Sequence, residues 1–322
     1  MATYDMTRAT PASGAARAAR RRKPIPLFPY LCILPAVVFA AVFLYYPALS
    51  AIGHAFTDWD GASQPTFVGL GNFQQLLGDT QMRLSFVNAA KITVISLVIE
   101  LTIPLGAARL ILGLRSTRFQ HAIRVLFLIP LIVPQVVIYL LWQFMYDPNV
   151  GLINAALGAL RLGGHQDWLG DPGTALYAIM GTGAGILAPF PFVDGFALLI
   201  FTAGLQAIPG EVLEAAGLDG AGPLTCFRRI ELPLMLGQLR LISVLTIVAS
   251  IQQYTAVLIL TGGGPGFATY VPGFSMYNDA FYYNRMGYAC AIGTVLFLVV
   301  LVLTVINLRY VRPSTEYDAN AA

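Results

Sequence analysis

The sequence contains few charged residues. Asp, Glu, Lys and Arg make up 11% of its 322 residues, whereas hydrophobic residues make up 57%. A soluble globular domain usually carries about 25% charged residues, and the mean hydropathy of this chain is +0.70. The composition therefore excludes an ordinary soluble domain and indicates an integral membrane protein. The net charge of +3 is too small to indicate a nucleic-acid-binding protein.

The sequence also lacks the motifs of several kinds of chemistry. It has no GxxxxGK[ST] phosphate-binding loop, so we do not expect the chain to bind and hydrolyse ATP itself. Its three histidines and three cysteines are scattered along the chain, which favours neither a metal site nor a disulfide framework. We therefore expect no catalytic residues, no metal and no cofactor in this chain, which is not an enzyme by this interpretation.

Six apolar runs are long enough to cross the hydrocarbon core of a membrane, which is roughly 30 Å thick. They cover approximately residues 27–49, 88–112, 123–146, 175–205, 236–260 and 288–310. Basic residues precede the first run, so a cleaved secretory signal is an alternative, but the run exceeds the roughly 7–15 apolar residues of a signal core. The prediction is an all-α membrane domain at 27–310, between a basic tail at 1–26 and a second tail at 311–322.

The positions of Lys and Arg predict the orientation of these spans. With both termini in the cytoplasm, fifteen of the nineteen basic residues fall on the cytoplasmic side. The other four, which lie outside or in the outer ends of spans, are Arg83, Lys91, Arg161 and Arg285. Because basic residues are enriched in cytoplasmic loops, we expect both termini and the segment 211–234 to be cytoplasmic.

Residues 211–234 form a long charged and glycine-punctuated segment between two strongly apolar regions. Its first six residues favour a helix with two acidic side chains near the positive end of the helix dipole. Glycines and a proline, among them Gly220 and Pro223, then interrupt this helix. Pro223 suits the first turn of a second short helix at 224–231, before Pro233. We expect two short helices that meet at a bend and serve as a docking site.

Residue types with a fixed spacing run through this segment. They are Glu214, Ala215, Ala216, Gly220, Ile230, Leu232 and Pro233. This pattern resembles the EAA signature of membrane permease subunits in bacterial ABC importers. Two other stretches, FVGLGNF at 67–73 and TGGGPG at 261–266, are similar to the carbohydrate subfamily of the maltose and glycerol-phosphate type.

The resemblance implies a type I ABC importer permease fold with six transmembrane helices and a cytoplasmic coupling helix. It implies a chain that lies in the bacterial cytoplasmic membrane and forms half of a translocation pore for a sugar, glycoside or oligosaccharide. The partners it implies are a second homologous permease, a dimer of ATPase subunits and an extracytoplasmic solute-binding protein. ATP and magnesium would then be bound by the ATPase subunits, and the seven residues of the signature would contact them.

Neutral polar residues in the fifth run are candidates for the substrate pathway. Gln252 and Gln253 are adjacent amides within an apolar run, and amides offer the donors and acceptors that sugar hydroxyls need. By position they resemble the adjacent polar amides of the maltose-type permease. On a continuous helix Ser250, Gln253 and Tyr254 share a face, which favours Gln253 over Gln252 as the pore residue. Hydrogen bonding between spans is the alternative.

The interrupted fourth run supplies further candidates. Asp194 is flanked by prolines and by Gly195, so we expect the helix to be broken there. Its carboxylate either takes part in transport or caps the freed backbone, and Phe192 or Phe196 offers an aromatic face to a sugar ring. Glu100, an acid in the second run, is expected to hydrogen-bond to a neighbouring span.

Two other functions are compatible with a membrane protein of this length. An ion-coupled secondary transporter needs coupling acids in the membrane, and Glu100 and Asp194 are the residues that support it. A membrane enzyme needs a catalytic cluster that the sequence lacks. Co-purification with an ATPase would distinguish the importer from both alternatives.

Overall fold

The computed structural model describes residues 27–163, 165–183 and 193–310. Among these residues, those up to Ala48 and those from Leu49 onwards form two separate compact units. In the first unit, helix α1 leads into a widened, π-helical turn at Ala41–Tyr45.

The described residues are mostly helical. The helices are α1 (Leu27–Ala40), α2 (Tyr46–His54), α3 (Gly71–Gly78), α4 (Thr80–Leu112), α5 (Thr117–Leu128), α6 (Gln135–Met145), α7 (Leu152–Ala159), α8 (Ala175–Gly181), α9 (Gly195–Gln206), α10 (Gly210–Leu218), α11 (Pro223–Cys226), α12 (Leu232–Leu234), α13 (Leu236–Ile251), α14 (Thr255–Leu260), α15 (Pro272–Phe281) and α16 (Met286–Tyr310). Two short antiparallel strands, β1 (Thr57–Asp58) and β2 (Thr66–Phe67), pair Thr57 with Phe67 and Asp58 with Thr66.

Three described helices are long and apolar enough to cross a membrane: Phe28–His54, Thr80–Leu112 and Met286–Tyr310. Three further helix pairs meet the same criteria together but are sharply bent, which gives up to six spans. These pairs are Thr117–Ile132 with Gln135–Met145, Gly195–Gln206 with Gly210–Leu218, and Pro223–Leu234 with Leu236–Ile251. The first, second and sixth expected spans are thus single helices, and the third corresponds to the first bent pair. The other two pairs cover 195–218 and 223–251, so each joins α9 or α13 to a helix of the 211–234 segment instead of following the expected runs at 175–205 and 236–260.

The third expected span is interrupted where two prolines lie close together. The two helices on either side meet at 94°. Val133 takes extended backbone angles because Pro134 disfavours a helical conformation in the residue before it. The expected continuous run at 123–146 is therefore two helices joined by a 3₁₀ turn at Ile129–Ile132.

Helix α4 lies at the centre of the second unit and packs along α13 and α9. It contributes buried side chains to three apolar clusters, through Met82, Ile92 and Leu105. Since lipid tails are as apolar as these side chains, close van der Waals packing holds such helices together. Gly195 at the start of α9 makes one such close contact: a Cβ atom there would lie 2.3 Å from the carbonyl oxygen of Phe127.

Several small elements were not expected from the apolar pattern. These are the β1–β2 hairpin and helices α3, α7 and α15. The side chain of Asn72 in α3 donates to the backbone oxygens of Ala55 and Thr57, which ties α3 to the hairpin. Helix α15 packs against α16 and α4, so the stretch 261–287 between the fifth and sixth expected spans contains an ordered helix.

Candidate functional site

The first half of the 211–234 segment is helix α10, which ends in a glycine-dependent turn. Gly220 has a φ of +79°, in the left-handed region that glycine adopts without strain. The N–H of Gly220 donates to the oxygen of Gly217 at 3.1 Å, and the N–H of Ala221 donates to the oxygen of Ala216 at 2.9 Å. This pair of bonds is a Schellman motif, which satisfies the last carbonyls of a helix and turns the chain.

The second half begins at Pro223, as the sequence predicted. Pro223 opens α11 and Gly222 precedes it with extended backbone angles. The expected end before Pro233 was wrong, because the helix continues through Pro233 to Leu234. A π-helical turn at Phe227–Glu231 precedes the proline, and the N–H of Leu232 donates to the oxygen of Phe227. A widened turn relieves the clash between a proline ring and the carbonyl one turn earlier.

The signature residues divide between an exposed surface and a buried side of the segment. Glu214, Ala215 and Gly220 are exposed, whereas Ala216 is buried. Ile230, Leu232 and Pro233 are half-buried. Two large apolar side chains near the bend point outwards, since Leu218 is 91% exposed and Leu224 is 67% exposed. The bend therefore carries an apolar surface with acidic neighbours, suited to contact with another protein.

An arginine of α4 holds the buried side of the segment. Arg109 donates from Nε to Oε2 of Glu231 at 2.7 Å and from a terminal nitrogen to Oε1 at 3.1 Å. It also donates to the carbonyl oxygen of Pro223 at 3.0 Å, and its guanidinium lies over the Phe227 ring at 5.1 Å. The two charged side chains line a groove of about 740 Å³ between α4 and the segment.

The fifth expected span is interrupted at the two glutamines. Helix α13 ends at Ile251, and α14 begins at Thr255. Ser250, Gln253 and Tyr254 therefore do not share one helical face, contrary to the sequence-based expectation, because residues 252–254 are outside the helices. Gln252 is exposed and Gln253 is half-buried, so the two amides have different surroundings.

Several of the polar side chains in this region have partners within the chain. Gln253 donates from Nε2 to the hydroxyl of Tyr139 at 2.9 Å. Ser250, which is buried, donates to Oγ1 of Thr93 at 2.9 Å. The ring of Tyr254 stacks on Tyr277 with a centroid distance of 5.7 Å. Hydrogen bonding between spans, the alternative interpretation, thus accounts for Ser250 and for part of the Gln253 amide.

Asp194 caps the start of α9, as one of the two interpretations of the sequence held. Its carboxylate is fully buried and accepts from the N–H of Phe196 at 3.0 Å and of Ala197 at 2.9 Å. Phe196 is 39% exposed, and Phe192 lies outside the described residues. Glu100 is fully buried on α4. The structure therefore brings Asp194 and Phe196 together. Their role in the substrate pathway stays a prediction.

Sequence reasoning missed the partners that hold these residues. Arg109, Thr93 and Tyr139 are far from their partners in the sequence, and no local spacing connects them. A weak signal existed for Thr93 and Tyr139, since each is a hydrogen-bonding side chain within an apolar run and such groups need a partner in the membrane.

Comparison with known proteins places the chain in a family. Residues 101–317 match the family described as "Binding-protein-dependent transport system inner membrane component". The chain is 31% identical over 298 residues to the sn-glycerol-3-phosphate transport system permease protein UgpA of Agrobacterium fabrum, covering 91% of this chain and 98% of that protein. It is also 31% identical over 309 residues to the diacetylchitobiose uptake system permease protein NgcF of Streptomyces coelicolor, covering 92% and 86% respectively.

The fold is similar to that of a solved membrane transporter. One chain of a bacterial ABC transporter involved in the import of the acidic polysaccharide alginate matches with a TM-score of 0.76. The sequence identity is 20%, and the match covers 90% of this chain and 96% of that chain. The prediction of an all-α type I ABC importer permease fold is confirmed. The chain belongs to the family of binding-protein-dependent transport system inner membrane components, the membrane permease subunits of ABC importers.

Proposed function

We propose that this permease subunit forms half of the translocation pathway for a sugar, glycoside or oligosaccharide, and that a separate ATPase dimer drives it through residues 211–234. The observation that carries the proposal is the surface of this segment. Glu214 and Gly220 of the signature are exposed there, beside the outward-pointing Leu218. A membrane protein that exposes charged and apolar side chains together outside its spans offers a docking surface for another subunit.

The docking surface sets how the subunits would be arranged. We propose that both termini and the 211–234 segment are cytoplasmic, supported by the fifteen basic residues on that side. An ATPase dimer then binds from the cytoplasm, a second homologous permease completes the pore within the membrane, and a solute-binding protein delivers the solute from outside. ATP and magnesium would be bound by the ATPase subunits, where ATP hydrolysis supplies the work.

Within this chain, the mechanical step is movement of the segment. The Schellman turn at Gly220 fixes the angle between α10 and α11. A rigid angle allows the two helices to move as one body when the ATPase subunits close, and that movement would shift the spans between inward-facing and outward-facing arrangements. The chain itself makes and breaks no covalent bond in this account.

The names of the relatives support the proposed solute class. They refer to sn-glycerol 3-phosphate and to diacetylchitobiose, and the structural neighbour to alginate. These solutes differ in charge and length but all carry several hydroxyl groups. The interruption at 252–254 presents neutral amides, with Gln252 exposed and Gln253 half-buried, which suits hydroxyl groups better than it suits an isolated charge.

Reconstituted uptake tests the proposal. The chain is assembled in proteoliposomes with the second permease, the ATPase subunits and the binding protein, and labelled diacetylchitobiose, sn-glycerol 3-phosphate and alginate oligosaccharides are supplied in turn. We expect ATP-dependent uptake of one member of this panel. Uptake that continues without the ATPase subunits and collapses with an ionophore would instead support an ion-coupled secondary transporter.

A further inference from the structure

We propose that Arg109 is the positioning residue that joins the 211–234 segment to helix α4, so that segment and span move together. The inference rests on the proposed function, because it concerns how movement of the docking segment reaches the membrane. The signature residues do not include Arg109, which lies more than a hundred residues earlier in the sequence.

The contacts of Arg109 cover most of the second half of the segment, from Pro223 to Glu231. Its guanidinium binds Glu231 through two nitrogens, at 2.7 and 3.1 Å, and binds the carbonyl of Pro223 at 3.0 Å. The same group lies over the Phe227 ring at 5.1 Å. One side chain of α4 therefore holds the first residue of α11 and both ends of the π-helical turn. A lysine has no planar fork and could not make this set of contacts.

Burial makes the ion pair unlike an ordinary surface pair. The Glu231 side chain is 10% exposed and the Arg109 side chain is 35% exposed. An exposed pair contributes little because water competes for both partners. A carboxylate that is nine-tenths buried loses most of its water, so its orientation depends on Arg109. Of the two ion pairs found among the described residues, this is the one that ties the segment to a membrane-spanning helix.

Helix α4 extends the connection into the membrane. Arg109 lies near its end, and Thr93 lies sixteen residues earlier, roughly 24 Å along a helix. Thr93 accepts the hydrogen bond from Ser250, two residues before the amides of the interrupted fifth span. A displacement of the segment that carries α4 with it therefore reaches the candidate solute pathway through the side-chain contacts of α4 with Glu231 and Ser250, and not through loops.

Distances between two spin labels test whether the segment and α4 move as one body. The labels are placed at Thr225→Cys, which is exposed on the segment, and at Leu84→Cys, which is 48% exposed near the other end of α4. The three native cysteines are replaced by alanine, and the assembled importer is measured without nucleotide and after trapping with magnesium, ATP and vanadate. We expect one distance distribution that is the same in both states.

Substitutions of Arg109 should make the distance distribution after trapping differ from the distribution without nucleotide. With Arg109→Gln the distribution broadens and shifts on trapping, because the segment follows the ATPase subunits without α4. Arg109→Lys keeps a charge beside Glu231 and gives a smaller shift, and it decides the question if the Gln variant does not assemble. Arg115→Gln, an exposed arginine just beyond the end of α4, is the matched control and should behave as the parent chain.

Distributions for Arg109→Gln and Arg109→Lys that match the parent chain in both states would overturn the inference. A distance in the parent chain that changes on trapping would do the same, since the segment would then already move independently of α4. Crosslinking from Leu218 to the ATPase separates the two proposals. If that crosslink forms and the distances do not respond to Arg109, the docking role stands and only the connection through Arg109 fails.

Discussion

The replacement Gln253→Leu tests whether the amides of the interrupted fifth span contact the transported solute. Leucine is close to glutamine in size but has no hydrogen-bonding group, so the change removes chemistry more than volume. The Gln253 amide donates to the hydroxyl of Tyr139 at 2.9 Å, which occupies one of its donors. The carbonyl oxygen and the second N–H of the amide are the groups proposed to meet solute hydroxyls.

The structure provides a control for the bond within the chain. Tyr139→Phe removes the same hydrogen bond but keeps the Gln253 amide. A hydrogen bond contributes about 0.5–1.5 kcal/mol net, so loss of orientation alone should raise the KM for uptake roughly 2- to 10-fold. Loss of a contact that leaves a solute group unpaired costs about 1–3 kcal/mol, which is roughly 5- to 150-fold in affinity. We therefore expect Gln253→Leu to raise KM more than Tyr139→Phe does.

Uptake kinetics in proteoliposomes give the KM of each variant. The solute is the one identified by the reconstituted assay, and assembly of the complex is checked for each variant. Basal ATP hydrolysis should survive in both. Equal KM values for Gln253→Leu and Tyr139→Phe would refute the reasoning, because the amide would then act only on Tyr139. An effect confined to Gln252→Leu would also refute it and would move the solute contact to the exposed neighbour.

Three further substitutions or fusions test other parts of the account. Gly220→Pro should uncouple ATP hydrolysis from uptake while the complex still assembles, since proline cannot adopt the φ of +79°; coupled uptake at the parent rate would contradict the role of the bend. Gly195→Ala should lower the free energy of unfolding of the purified complex by about 1–3 kcal/mol, because the added Cβ would lie 2.3 Å from the Phe127 oxygen. Gly237→Ala, with open space around the glycine, should leave this free energy unchanged. Alkaline phosphatase fused after Arg312 should be inactive, and an active fusion would reverse the proposed orientation.

The apolar runs predicted the helical membrane fold because length and hydropathy determine what can cross a bilayer. They did not predict where the spans bend. Prolines account for the 94° bend in the third run, but two prolines in one run do not specify an angle. The break after Ile251 has no proline or glycine beside it, and so a helix through Gln252 and Gln253 was the natural expectation. The local pattern of residue types does not predict tertiary contacts such as the hydrogen bond between Gln253 and Tyr139, which are 114 residues apart.

The docking segment was predicted in more detail than the solute pathway. Glycine and proline carry strong local preferences, and the bend at Gly220 and the helix start at Pro223 follow from them. The end at Pro233 was wrong because a widened turn accommodates proline within a helix. Asp194 was left between two roles, and its buried bonds to the backbone of α9 correspond to the capping role. A polar residue within a span can either contact the solute or hydrogen-bond within the chain, and the sequence does not show which contacts it makes.

Site-specific photocrosslinking from position 218 tests most directly whether this segment docks on a separate ATPase. Leu218 is 91% exposed at the bend, and Leu162, which is 72% exposed between α7 and α8, is the matched control. A photoreactive residue at position 218 in the assembled importer should give an adduct with the ATPase subunit, and the same residue at position 162 should not. Absence of the position-218 adduct in complexes that contain the ATPase, or an equal adduct from position 162, would contradict the central claim.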